Sequence, residues 1–225
     1  MKINADFDQR IVLHADEIDW TPSPMQGVSR RPLDRIGGEV ARATTIVRFD
    51  PGSHFSPHTH GGGEEFIVLE GVFQDEQGDF PVGSYIRNPP QSRHTPSSAP
   101  GCVIFVKLWQ FDPEDRTHVL IDMNKIGAMA DPQRPGVTVT PLFQDPHEEV
   151  RLERWAPGAE GHLTVEGGAE LLVLEGTANE SGDALRRHSW VRIPAGGDIA
   201  LTAGSEGARI WVKTGHLREI TFPGQ

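Results

Sequence analysis

Cysteine is almost missing from this chain: Cys102 is the single one in 225 residues. No intrachain disulfide can form, and a thiolate metal site within one chain is all but excluded. Positive charge is also scarce. The 21 lysines and arginines stand against 32 aspartates and glutamates, leaving a net charge of −11. A surface that acidic is poorly suited to a phosphate backbone or to anionic lipid, so neither nucleic acid nor membrane is an expected partner. No run approaches the roughly 18 apolar residues that a spanning helix needs. The opening MKINADFDQR carries Asp6 and Asp8 where a secretory signal would be apolar. A soluble, cytoplasmic protein is expected. Helical periodicity is lacking too: no stretch of about 12 residues repeats its apolar positions at helical spacing between caps.

Glycine and proline, by contrast, are plentiful: 25 and 18 residues, spread along the whole length. Short runs rich in Val, Ile and Phe, such as FIVLEGVF (66–73) and CVIFVKLW (102–109), alternate with turn compositions such as DEQGD (75–79) and ESGD (180–183). Many short strands joined by turns predict a sandwich or a small barrel. The chain also repeats itself. EEFIVLEG (64–71) matches AELLVLEG (169–176), SYIRNP (84–89) matches SWVRIP (189–194), GCVIFVK (101–107) matches GARIWVK (207–213), and GVSRRPL (27–33) matches GVTVTPL (136–142). Four segments in one order at nearly constant offset mark an internal duplication. The expected layout is an N-terminal extension over 1–24 that adds an edge strand, a first unit over 25–122, a linker over 123–135 with at most a turn of helix, and a second unit over 136–225.

Chemistry concentrates in the first unit, in PGSHFSPHTHGGGEEF (51–66). On an extended segment His58 and His60 project from one face. The three glycines that follow permit a tight reversal, and Glu64 then opens the next strand. Two imidazoles and a carboxylate suit Zn, Fe, Ni or Mn. His94 follows two prolines that would direct the chain. From spacing alone, a metal site and a set of ordinary histidines both stay open. His14, His54, His118, His147, His162, His188 and His216 are read as structural or solvent-facing.

These residues resemble the cupin superfamily. Its first motif runs Gly, His, His, Glu, Gly, matched in every interval by Gly52, His58, His60, Glu64 and Gly71. Its second motif is carried by Gly83, Pro89 and His94, with Gln91 in place of a glycine and Ser98 in place of an asparagine. The resemblance implies an all-β fold of two tandem cupin barrels (double-stranded β-helices, or jelly rolls). It also implies one divalent metal, zinc first and then Fe, Ni or Mn, held by His58, His60, Glu64 and His94. Glu65 is the rival to Glu64, but alternation turns it away. In the second unit Leu163, Val165, Ala169 and Ile199 stand at the four ligand positions, so that barrel is expected to be apolar inside and free of metal.

More closely, the first unit resembles the cupin domain of ChrR-type anti-sigma factors. In that family a helical zinc-binding domain holds the sigma factor and the cupin domain senses stress. Residues 1–24 carry no His/Cys cluster of that kind, so sigma-factor binding is not expected of them. Tyr85, Arg87 and Trp109 are candidates for supporting the site or contacting a ligand. Arg87 recurs as Arg192 in the metal-free unit, which favours a structural role, and a solvent-facing one is the simplest. Cys102, among apolar neighbours, is read as a buried inert thiol. The leading expectation is a small-molecule or redox sensing module. The alternative is a metal-dependent dioxygenase for a small carbonyl or aromatic substrate, and a storage protein with a vestigial site comes last. A homodimer is expected by resemblance.

Overall fold

The computed structural model describes residues 1–38 and 40–224, and among these the regular elements are strands plus one short 3-10 turn, Ala15–Glu17. They group into two units. The first comprises Met1–Ala5, Ile18–Lys125 and the last residues from Thr221, and the second comprises Asp6–Glu17 and Ile126–Ile220.

In the first unit the main sheet runs Lys2–Ile3, Val28–Gly37, Ala41–Phe49, Cys102–Leu108, Glu64–Asp75, Ser84–Asn88, Val119–Asp122, each antiparallel to its neighbour. A separate ribbon pairs His58–His60 with Ser92–His94. The second unit repeats the order with Met129–Ala130, Val137–Gln144, Glu149–Trp155, Gly197–Thr214, Ala169–Glu180, Ser189–Ile193, Ile11–His14. It has no separate ribbon, because Gly197–Thr214 is continuous and Glu160–Val165 pairs along its first part. The chain is thus an all-β protein of two jelly-roll barrels.

The segment 1–24 does not act as one extension. Lys2–Ile3 joins the first unit, while Ile11–His14 closes the sheet of the second against Ser189–Ile193. There it holds the place that Val119–Asp122 holds in the first unit. The repeat therefore reaches further than its four obvious segments: Phe7-Asp8 corresponds to Phe111-Asp112 in sequence, and Ile11-Val12 to Val119-Leu120 in strand register. The packing agrees. The Arg192 guanidinium lies 4.1 Å over the Phe7 ring, and that of Arg87 lies 4.2 Å over Phe111. In the predicted linker, Met129–Ala130 is a strand paired with Thr138 and Val139, and no helix forms.

Alternation sorts each strand into two faces. In the first unit Val47, Phe49, Phe66, Val68, Ile86, Ile104 and Val106 form the barrel core. In the second, Val165, Ala169 and Ile199 join Leu171, Val173 and Ile210, with Leu163 packed against them. Each Val, Leu, Ile or Phe among them contributes about 1.5–3 kcal/mol when fully buried. The opposite face of both sheets carries a buried polar layer, also duplicated. The Tyr85 hydroxyl donates to Glu65 at 2.6 Å, and the Trp190 indole N–H donates to Glu170 at 3.0 Å. Lys107 donates to the Thr44 hydroxyl at 3.0 Å, and Lys213 pairs with Glu148 at 2.8 Å. Buried charge persists only where such partners are present.

Gly71 and Gly176 close the matched runs with φ of 69° and 74°. A Cβ on either would meet the carbonyl oxygen of Gly101 or Gly207 at 2.0 Å. Both the left-handed backbone and the close approach require glycine here. Gly71→Ala and Gly176→Ala should each destabilise the protein by at least about 1–3 kcal/mol, read as a lower denaturation midpoint in urea.

Candidate metal centre

His58 and His60 leave one face of a three-residue strand, and antiparallel pairing sets His94 directly opposite His58. Glu64 begins the long strand after the glycine reversal. The Nε2 atoms of His60 and His94 stand 2.9 Å apart, and Glu64 Oε2 lies 3.4 and 3.5 Å from them. The His58 ring centroid is 4.7 Å from that of His60 and 5.1 Å from that of His94. One ligand atom from each of the three histidines falls within 4.8 Å of the others. Atoms bound at about 2.0–2.2 Å to one ion would be roughly 3.0–3.5 Å apart. The three histidines are positioned to bind a metal ion, and Glu64 faces the same point.

Hydrogen bonds at the far side of two rings set their tautomers. His94 Nδ1 lies 3.1 Å from Asp75 Oδ2, and His58 Nδ1 lies 3.1 Å from the carbonyl of Ser56. Each oxygen accepts the Nδ1 proton and leaves the Nε2 lone pair for an ion. The Asn88 amide donates to Glu64 Oε2 at 3.3 Å and steadies the carboxylate. Burial lowers the pKa of His60, with the charges of His94 and His58 adding to the effect and Glu64 opposing it. Burial also pulls on His94, but the Asp75 hydrogen bond and the charges of Glu64, Asp75 and Glu76 outweigh it and raise its pKa. Asp75 and Asn88 escaped the sequence reading. Asn88 occupies the strand position paired with Glu64, which a correct register would have revealed.

The other candidates divide. Trp109 borders the cavity beside the histidines. Tyr85 and Arg87 do not: they lie on the opposite face with Glu65, in the buried polar layer. Arg87 is not solvent-facing either. Only 1% exposed, it donates to Asp115 at 3.0 Å. The glycine run makes the expected reversal, with one residue in the left-handed backbone. Of the three, only Gly63 has positive φ, at 78°. Gly62 is needed because a Cβ there would meet the Trp109 indole at 2.3 Å. Gln91, at a family glycine position, keeps the left-handed backbone with φ of 70°, as its counterpart Gly196 does with 78°. Its N–H donates to the His60 carbonyl at 2.8 Å, which ties the turn to the ligand strand. Cys102 is buried and its thiol is pushed up to about 11.

His58, His60, Glu64 and Trp109 open on a cavity of about 480 Å³ whose remaining wall is largely aliphatic and aromatic. Among the described residues, no other cluster of three or more histidine, cysteine or acidic side chains converges in this way.

Residues 8–112 match the ChrR cupin-like domain. Just under half of the chain is thus similar to a ChrR cupin-like domain. The match begins near the strand that closes the second unit and ends at Phe111-Asp112. No curated protein matches the chain significantly. Solved cupin structures share its fold. A candidate dioxygenase from Nostoc punctiforme superposes with a TM-score of 0.78 at 15% identity, covering 95% of this chain and 85% of its own. The bacterial pirin YhhW from Escherichia coli, in complex with nickel(II), gives 0.64 at 15% identity, covering 92% and 99%. Bacillus subtilis oxalate decarboxylase gives 0.63 at 10% identity, covering 91% and 76%.

Only a neutral imidazole ligates. Because the pKa of His94 is raised, acidification protonates it earlier than an ordinary histidine, near 6.5. Zinc or nickel affinity should therefore begin to fall above about pH 6.5. Asp75→Asn should move that onset to lower pH and weaken binding roughly 10–100-fold at pH 8. Isothermal titration calorimetry across a pH series reads both.

Proposed function

We propose that the first barrel is a divalent-metal centre that binds and converts a small molecule, in the manner of a cupin dioxygenase. His58, His60, His94 and Glu64 would hold the ion. The observation that carries this reading is the cavity of about 480 Å³ bordered by two of the histidines and Glu64. A structural zinc site is sealed by its protein ligands, whereas a catalytic one keeps room for a substrate. When bound, the metal would act as a Lewis acid toward a chelating group on the substrate.

The chain's own residues do the rest. Asp75 and the Ser56 carbonyl orient the imidazoles, and Asn88 orients the carboxylate. Trp109 and the apolar wall would limit the water around a bound molecule. The likeness in fold to the Nostoc candidate dioxygenase supports the same reading.

The second reading, a sensing module, is favoured by the ChrR cupin-like match. It would use the same site without turnover, with zinc as the ion. A thiol held near 11 leaves Cys102 little thiolate with which to sense oxidants.

Elemental analysis of protein purified without added metal should find about one divalent ion per chain, and His60→Ala should lose it while staying folded by circular dichroism. Oxygen uptake by the iron-loaded protein with β-dicarbonyl or hydroxyacetophenone compounds selects the enzyme. A tightly held zinc with no uptake selects the sensor. Wild-type protein that takes up no ion even on reconstitution would sink both.

A further inference from the structure

Arg30 and Arg35 both line the cavity that the histidines border. In an unbroken strand, residues an odd number apart point to opposite faces. The strand Val28–Gly37 is not unbroken. Arg30 pairs with Val47 and Pro32 with Thr45, but then Asp34 pairs with Thr44 and Arg35 with Ala43. Leu33 is the extra residue of a β-bulge, and it returns Arg35 to the face that carries Arg30. Bulges of this kind re-aim side chains beside functional sites. Two anchors hold this one: Leu33 is fully buried, and Asp34, on the opposite face, accepts the Thr44 N–H at 2.9 Å.

Arg30 differs from the structural arginines nearby. Arg31 and Arg48 lie over the Trp20 ring at 4.3 and 4.5 Å. Arg30 makes no hydrogen bond or ion pair among the described residues, and the charge it feels is that of Arg35, which together with burial lowers its pKa. Arg35 donates to the carbonyl of Gly38. The one acidic side chain on the described cavity wall, Glu64, faces the histidine cluster. The described wall thus carries two cationic side chains against one acidic one, in a chain of net charge −11. The rest of the wall is mostly apolar and includes Val47, Phe49, Ile104 and Val106.

We propose that Arg30, with Arg35 beside it, binds the carboxylate of the molecule taken into this cavity, so that the ligand is a small organic anion with an apolar body. This deepens the function proposed above and rests on it only in taking the metal-bordered cavity as the ligand site. A guanidinium presents donors in a fork that matches a carboxylate, and its bonds strengthen where water is excluded.

The test is binding by calorimetry to the protein as purified, with its metal content measured in parallel. The probes are hydrocinnamate, hexanoate and phenylpyruvate, with neutral hydrocinnamamide as control. Wild-type protein should bind at least one carboxylate, and hydrocinnamate more tightly than its amide. Arg30→Gln should weaken carboxylate binding roughly 10–100-fold, leave the amide unchanged and leave the metal content unchanged. Arg30→Lys, which keeps the charge, should weaken it less. If circular dichroism shows Arg30→Gln misfolded, Arg35→Gln and Arg30→Lys carry the same comparison.

Equal affinity for hydrocinnamate and its amide, no binding of any of the three carboxylates, or unaltered carboxylate affinity in the folded variants would overturn the proposal. Carboxylate selectivity in protein that holds no ion would instead remove the metal centre and leave the arginine site standing.

Discussion

Side-chain alternation along pleated strands is the constraint on which this protein depends. One residue decides whether a group joins the ion site or the far face. Glu64 meets two imidazoles, and Glu65 beside it meets the Tyr85 hydroxyl. A slip of one residue in the long strand would exchange the two and bury each acid in the wrong surroundings. The cost of an unpaired buried carboxylate adds to the burial of whole faces in holding the register. Where the function proposed here needs a departure from strict alternation, the chain inserts a bulge, as at Leu33.

The two barrels show which features belong to the fold and which to the site. The polar layer outside each core occurs twice: Glu65 with Tyr85 and Glu170 with Trp190, Arg87 over Phe111 and Arg192 over Phe7. What occurs twice is explained by architecture, and this removes Arg87 from the candidates for chemistry. The ligand positions, by contrast, occur once. Val165, Ala169 and Ile199 fill the equivalent space in the second barrel, with Leu163 packed against them, and their burial replaces the polar contacts of the first. Four polar groups converging without an ion would be costly to bury, and aliphatic replacement relieves that cost.

Within the first barrel two of the three histidines are oriented by the chain itself. Asp75 and the Ser56 carbonyl each hold an imidazole at the nitrogen remote from the centre, and Asn88 holds Glu64 at the oxygen that faces the histidines. These contacts reduce the rotamer freedom that would otherwise be lost on binding. The Trp109 indole, packed on the glycine run, closes one wall of the cavity, and the ligand strand turns under the backbone tie between Gln91 and His60.

Much of this was legible before any coordinates. Turn residues and short β-rich runs announce a β protein, and the paired segments announce its duplication, because both signals are local in the chain. The spacing of His58, His60 and Glu64 is local as well, since they lie on one strand and the reversal after it. Asp75 was hidden because it lies at the far end of the strand that Glu64 begins, and Asn88 and the Arg30–Arg35 pair because each comes from another strand and depends on pairing register. The transfer of Ile11–His14 to the second unit was hidden for the same reason: a four-residue strand carries too little pattern to name its partner. Short-range spacing follows from covalent geometry and the pleat, and a string of residues records it. Which strands lie side by side, and with what offset, follows from the burial of whole faces at once, and no short segment contains that information.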